Sequence, residues 1–266
     1  MIGEIYTLST NNSIIRFIHI SDSHITESSN IETINLVNYI NNLPCKIDFI
    51  FHTGDIVGDS SCESYKLAKE IFSKSIYPIY FAPGNYEIVD YYREFILNDL
   101  DKVCFLSDYS YYININNYRI VSLDTTILDK DKFHGELKKE DLVFLNKIIS
   151  DRPKLIIFLH FPVVELDSVV SSKDLCLING ELLHNFCKQN KEKIIGVFYG
   201  HVHRGMTIYK DEILYSSVGS VVNQYHIWPN TLDLTPDNSI SMRCNLVTIN
   251  NKMVIIKELA TSSELQ

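Results

Sequence analysis

Six short apolar runs punctuate the chain: SIIRFIHI (13–20), IDFIFHT (47–53), IYPIYFA (76–82), YRIVSLD (118–124), LIIFLHF (155–161) and IIGVFYG (194–200). They are rich in β-branched and aromatic residues and mostly continuous rather than alternating, which predicts strands buried on both faces. Between several of them apolar positions recur at helical spacing. Ile31, Ile34, Val37 and Ile40, running on towards Ile47, predict a helix ahead of the second strand. Tyr65, Leu67, Ala68, Ile71 and Phe72 predict another. Leu142, Leu145, Ile148 and Ile149 predict a third, opened by Glu140 and Asp141, whose charge suits a helix N-terminus. After residue 200 the texture changes. GMTIYKDEILYSSVGS reads as two short strands about a Lys210-Asp211 turn, and MRCNLVTINNKMVIIKEL as a hairpin about Asn250-Asn251. Strand–helix alternation followed by hairpins predicts an α/β domain whose sheet layers include antiparallel strands. No repeat, low-complexity tract or flexible linker interrupts it, so residues 1–266 read as one domain.

Composition narrows the function. With 266 residues, 45% hydrophobic and 21% charged, the chain can bury a substantial core. A net charge of −9 gives no electrostatic footprint for a nucleic-acid polymer. An acidic chain that acts on a phosphate instead needs bound cations to offset repulsion. No apolar run reaches the roughly 18 residues of a membrane span. The start, MIGEIYTLST, shows no secretory signal. The cysteines Cys45, Cys62, Cys104, Cys176, Cys187 and Cys244 are scattered without a C-x-x-C pair, which predicts reduced thiols and a cytoplasmic location.

Chemistry concentrates just past the apolar runs. SDSH follows the first and supplies Asp22 and His24; TGD follows the second and supplies Asp55; PGNYE follows the third and supplies Asn85. His160 ends the run at 155, and GHVHR after the last supplies His201 and His203. Every one is a carboxylate, an imidazole or an amide oxygen, the ligand set of a borderline divalent metal. In α/β sheets the carboxyl ends of strands form the rim where ligands bind. If these segments are extended, residues two apart point to the same side, so each D-x-H or H-x-H pair reaches one site.

D-x-H, G-D, G-N, a lone strand-end His and G-H-x-H, in that order over residues 14–205, resemble the calcineurin-like metallophosphoesterase superfamily. Within it, ISDSH near the start, HGEL at 134–137 and the short tail after GHVHR resemble the bacterial class III cyclic nucleotide (cyclic-AMP) phosphodiesterases. The resemblance implies a four-layer αββα sandwich with two divalent metals, Mn, Fe or Zn, at the strand ends. It implies that Asp22, His24 and His203 hold one metal, that Asn85, His160 and His201 hold the other, and that Asp55 bridges both. Two metals so placed clamp a phosphoryl group and generate a hydroxide that attacks phosphorus in line. Asp55, Asn85, Tyr86 and His201 are the expected catalytic set.

The departures bear on substrate. Relatives of the cyclic nucleotide type carry G-N-H-D at the third block, where this chain has GNYE; Tyr86 replaces a histidine that the resemblance casts as general acid and phosphate contact. A phenol of pKa about 10 is a weaker proton donor than imidazolium, so good leaving groups are favoured. Phe161 likewise follows His160 where a second histidine is frequent. Asn85, Tyr86 and His226 are the expected substrate contacts. The expected substrate is a small cyclic nucleotide or related phosphodiester. A phosphomonoester of a nucleotide or metabolite is the first alternative, and a non-catalytic binding protein of the same fold the second. His19 and His52 read as packed strand histidines, and His134 and His184 as surface or structural residues. The aromatics of YYREF (91–95), Tyr225 and Trp228 fit either a pocket lining or a homodimer face.

Overall fold

Continuous apolar strands need cover on both faces, and here two sheets and their helices supply it. The computed structural model describes residues 14–100, 102–127, 134–150, 153–168, 175–229, 233–240, 242–250 and 253–260. A five-stranded sheet has the order β14-β13-β1-β2-β3, built from β1 (Ile15–Ile20), β2 (Phe49–His52), β3 (Ile79–Phe81), β13 (Arg243–Asn250) and β14 (Met253–Ala260). A seven-stranded sheet has the order β4-β5-β6-β7-β8-β10-β9. Its strands are β4 (Cys104–Phe105), β5 (Tyr111–Ile115), β6 (Tyr118–Ser122), β7 (Lys154–Phe158), β8 (Ile194–Tyr199), β9 (Thr207–Lys210) and β10 (Ile213–Ser217). Parallel pairing joins β1 to β2 to β3 and β6 to β7 to β8 to β10, and the flanking strands are antiparallel. A small antiparallel pair, β11 (Tyr225–His226) with β12 (Thr235–Pro236), stands apart.

Strand alternation sorts the side chains into layers. Phe17, Phe49 and Phe51 of the first sheet meet Phe158 and Phe198 of the second, with Phe51 stacked on Phe158 at 3.8 Å between centroids. The same core takes in Leu36, Val37 and Ile40 of α1 (Ile31–Asn41) and Tyr65, Ala68 and Ile71 of α2 (Cys62–Phe72). On the second sheet the alternate residues Val121, Leu155, Ile157, Val197 and Tyr199 form a separate core. Leu145 and Ile148 of α4 (Lys139–Ile148) and Leu183 and Phe186 of α5 (Gly180–Gln189) cover it. The layering is helix, sheet, sheet, helix. A short α3 (Val89–Tyr91) runs into one π turn (Tyr92–Ile96).

Element boundaries differ from the sequence pattern in instructive ways. The first helix stops at Asn41 rather than continuing to Ile47, because Pro44 cannot extend it. Helix α5 escapes the pattern because its buried stripe includes His184 and Cys187. Strand β5, the hairpin partner of the expected β6, escapes it because β5 is only half buried. The Lys210-Asp211 turn joins β9 to β10, with Asp211 and Glu212 left-handed. The β13–β14 hairpin forms as expected, although Asn251 at its tip lies outside the described residues. None of the six cysteines is in a disulfide. Among the described residues no helix is long and apolar enough to cross a membrane.

Candidate metal centre

Parallel strands from both sheets end on one rim, so residues 179 positions apart become neighbours. Asp22 and His24 follow β1, Asp55 follows β2, Asn85 follows β3, His160 follows β7, and His201 and His203 follow β8. The connecting backbone is stitched together there. Asp22 N–H donates to the Gly54 carbonyl (3.0 Å), His24 N–H to that of Asp55 (3.1 Å) and Gly200 N–H to that of His160 (3.0 Å). The two sheets are cross-linked by His201 N–H, which donates to Asp22 Oδ2 at 3.0 Å.

The turns are tighter than extended spacing predicts. Asp22, His24, Asp55, His201 and His203 all have positive φ, at 54°, 39°, 54°, 68° and 49°. Such a backbone is uncommon outside glycine and costs on the order of 1 kcal/mol or more per residue. Strand alternation therefore does not explain the two-residue spacings; consecutive left-handed turns do. The glycines serve close approach. At Gly54, itself at φ 97°, a Cβ would lie 2.6 Å from His160 Nδ1, and at Gly200 it would collide with Ser21 Oγ.

Two compact groups of donor atoms result. Asp22, His24 and His203 form one, and Asp55, His160 and His201 the other, with donor atoms in each within 4.8 Å of one another. Nε2 of His24 and Nε2 of His203 are 3.1 Å apart; His201 Nδ1 and His160 Nε2 are 3.0 Å apart. Asn85 Oδ1 lies 3.1 Å from His160 Nε2. Asp55 lies between the groups, with Oδ2 3.8 Å from His24 Nε2 and Oδ1 3.4 Å from His160 Nε2. Outer hydrogen bonds fix the rings: His160 Nδ1–H donates to the Thr53 carbonyl (2.6 Å) and His203 Nδ1–H to that of Asn223 (3.0 Å). That arrangement leaves both Nε2 atoms facing the centre, as ligating histidines require.

Electrostatics tests whether cations fit. Burial opposes charge on Asp22, yet His203 and its neighbours hold its carboxyl well below the usual range. Burial likewise opposes charge on Asp55, but His160 beside it holds its pKa at about 2. Burial would lower His160, and Asp55 overrides it to raise the imidazole to about 9. Asp22 likewise overrides burial to raise His203. Burial keeps His201 neutral, at about 3. The carboxylates of Asp55 and Asp22 thus favour positive charge at His160 and His203, and metal cations compete with protons for the same atoms. Asp22 Oδ1 is buried 3.5 Å from His203 Nε2 and accepts no hydrogen bond. Donor chemistry, ring orientation and that orphaned oxygen all fit a pair of divalent metals.

Glu87 braces the rim from behind. Its half-buried carboxylate accepts N–H bonds from Ile56 (2.7 Å), Asp55 (3.1 Å) and Gly84, while desolvation and then Asp55 push its pKa up to about 7. Ser220 Oγ–H donates to the Asp22 carbonyl at 2.8 Å. Neither stands out in sequence, since one is the fourth letter of GNYE and the other a loop serine. His19 and His52 are strand histidines bonded to Thr53 Oγ1 (3.0 Å) and Ser23 Oγ (2.8 Å). His184 is bonded to the Tyr215 hydroxyl (2.7 Å) and Asp211 (3.0 Å), a structural placement.

A cleft of about 510 Å³ opens over both groups. Tyr86 lines it and meets His24 edge-on at 4.9 Å between ring centroids. Tyr225 lines it too, 5.0 Å from the His203 ring. His226 instead stacks on Trp228 and lies 3.4 Å from Asp237.

The family profile described as calcineurin-like phosphoesterase matches residues 15–205, from the first residue of β1 to just past His203. The chain belongs to that family. It is therefore a hydrolase of the metallophosphoesterase type, and the layered sandwich is the family fold. Among curated relatives, "Probable glycerophosphodiester phosphodiesterase GpdQ" of Arcobacter nitrofigilis is 29% identical over 83% of this chain and 81% of its own length. A "Probable cyclic nucleotide phosphodiesterase" of Coxiella burnetii is 28% identical over 79% of this chain and 84% of its own. A solved dimetal phosphatase from Danio rerio superposes with a TM-score of 0.65 at 13% identity, over 92% of this phosphoesterase and 98% of that chain, a likeness of fold.

Proposed function

We propose that the protein is a dinuclear metal-dependent phosphodiesterase acting on a small cyclic nucleotide or related diester. The observation that carries this reading is Asp55, whose two carboxylate oxygens face histidines of different donor groups. In this reading Asp22, His24 and His203 would hold one divalent metal, Asn85, His160 and His201 would hold the other, and Asp55 would serve both. Mixed imidazole and carboxylate donors accept Mn, Fe or Zn. When bound, such a pair polarises the phosphoryl group and activates water at neutral pH. Water adds to phosphorus, the P–O ester bond breaks, and the departing alcohol gains a proton. Asn85 and Tyr86 line the cleft beside Asp55, where an amide and a phenol can donate hydrogen bonds to phosphoryl and leaving oxygens. The names of both curated relatives support a diester.

Mn-reconstituted protein should hydrolyse p-nitrophenyl diesters with higher kcat/KM than p-nitrophenyl phosphate. Asp55→Asn should lower both metal content and turnover, the latter by about 10²-fold or more. Faster hydrolysis of the monoester would assign a phosphomonoesterase instead. Loaded protein that turns over neither would be a binding protein of this fold.

A further inference from the structure

The metals account for the phosphoryl group but not for what is attached to it. The cleft wall around the donor groups has its own chemistry. Glu32, in the first turn of α1, lines it together with Ser29 from the preceding loop. Opposite in kind are the phenol rings of Tyr86 and Tyr225, each packed against a histidine of the first donor group. Among the described residues lining the cleft no lysine or arginine appears. Arg204, the nearest cation in sequence to His203, is bonded to Asp237 at 2.9 Å. A carboxylate disfavours a nearby anion, and the electron-rich faces of aromatic rings favour neutral or cationic groups over anionic ones.

We propose that Glu32, Tyr86 and Tyr225 form the subsite for the alcohol part of the substrate and act as a charge filter. The subsite accepts a phosphodiester with one negative charge whose alcohol is neutral or cationic, and it rejects one carrying a second anion. Glu32 is the specificity-determining residue. The inference rests on the phosphodiester reading of the site and deepens it: substrates with several phosphates, including oligonucleotides, fall outside.

Three p-nitrophenyl diesters isolate the charge, with the second alcohol choline (cationic), 3,3-dimethylbutanol (its neutral isostere) or 3-hydroxypropanoate (anionic). The anionic diester should show kcat/KM lower than the neutral one by about tenfold or more, and the cationic diester should match or exceed the neutral one. Glu32→Gln should narrow the cationic-to-anionic ratio, and Glu32→Lys should invert it. Equal kcat/KM for the neutral and anionic diesters, or ratios unmoved by both substitutions, would overturn the proposal. Calorimetric titration of the metal-loaded protein with methylphosphonate monoesters of the same alcohols reads the subsite without turnover. There the anionic ester should bind about tenfold more weakly than the neutral one. If no diester is hydrolysed yet this binding order holds, the phosphodiesterase reading fails and the filter stands; equal binding sinks the filter alone.

Discussion

Tyr86 is the residue at which this chain departs most from its resemblance, and its setting limits what it can do. Burial, then Asp55 and Tyr225, raise its phenol pKa, so the group stays a hydrogen-bond donor through neutral pH. Its backbone N–H donates to Asp55 Oδ1 at 3.0 Å, a contact that does not involve the side chain. A histidine substituted there can therefore act on the substrate without unsettling Asp55. In the proposed reaction an imidazolium protonates a poor leaving group better than a phenol does, and general acids contribute typically 10²–10⁴-fold. Tyr86→His should thus raise kcat on an alkyl diester by about tenfold or more while changing p-nitrophenyl release little, because nitrophenolate leaves unaided. Steady-state kinetics on the two leaving groups decides it, and an unchanged ratio would remove Tyr86 from proton transfer. Candidate ligands were legible in the sequence because carboxylates and imidazoles stood directly after buried runs. Their left-handed backbone was not, since positive φ at Asp22 or His201 follows from tertiary hydrogen bonds between loops. Glu32 was invisible as well, being one more acidic residue in a helix's first turn until the fold turns that end towards the cleft.

At the scale of elements, apolar period was a good guide to β1, β2, β7, β8 and α2, where buried apolar side chains dominate even though His19, His52 and Ser64 are buried among them. It failed for α5, where the buried face includes a histidine satisfied by Tyr215 and Asp211, partners more than 25 residues away in sequence. Helix α4 shows the opposite tension. Its acidic first turn marks the start correctly, yet Asp141 is buried there with Oδ2 unpartnered. Burial raises its pKa from the ordinary 3.8 to about 6. Because the folded value exceeds the unfolded one, the protonated form favours folding below about pH 4. That advantage is lost as pH rises from about 4 to about 6, and above it the buried charge is a cost of about 1–3 kcal/mol. Asp141→Asn keeps the shape without the charge. Urea unfolding at pH 4, 5, 6 and 7 should show the variant gaining stability relative to wild type across that window, with the full difference present by pH 7. A difference that stays constant with pH would mean that Asp141 does not titrate in the folded protein.

For the whole molecule, the site is also a structural joint. Five left-handed residues, two buried carboxylates and four imidazoles sit where loops of the two sheets meet, and His201 N–H to Asp22 Oδ2 spans between them. Local strain and buried charge of this kind persist only when something offsets them. The phenylalanine layer between the sheets offsets part, at about 1.5–3 kcal/mol for each fully buried ring. In the proposed reading the metals offset the rest, since cations that bind only the folded chain stabilise it by mass action. Metal at about 100 times its Kd should add about 2.7 kcal/mol. Chelation should therefore lower the unfolding midpoint, and manganese added back should restore it in proportion to the logarithm of its free concentration. Asp55→Asn supplies the control, because a protein unable to hold both ions should unfold at a midpoint that responds much less to chelator. Equal responses from the variant and wild type would place the stabilising ion elsewhere and detach Asp55 from the joint.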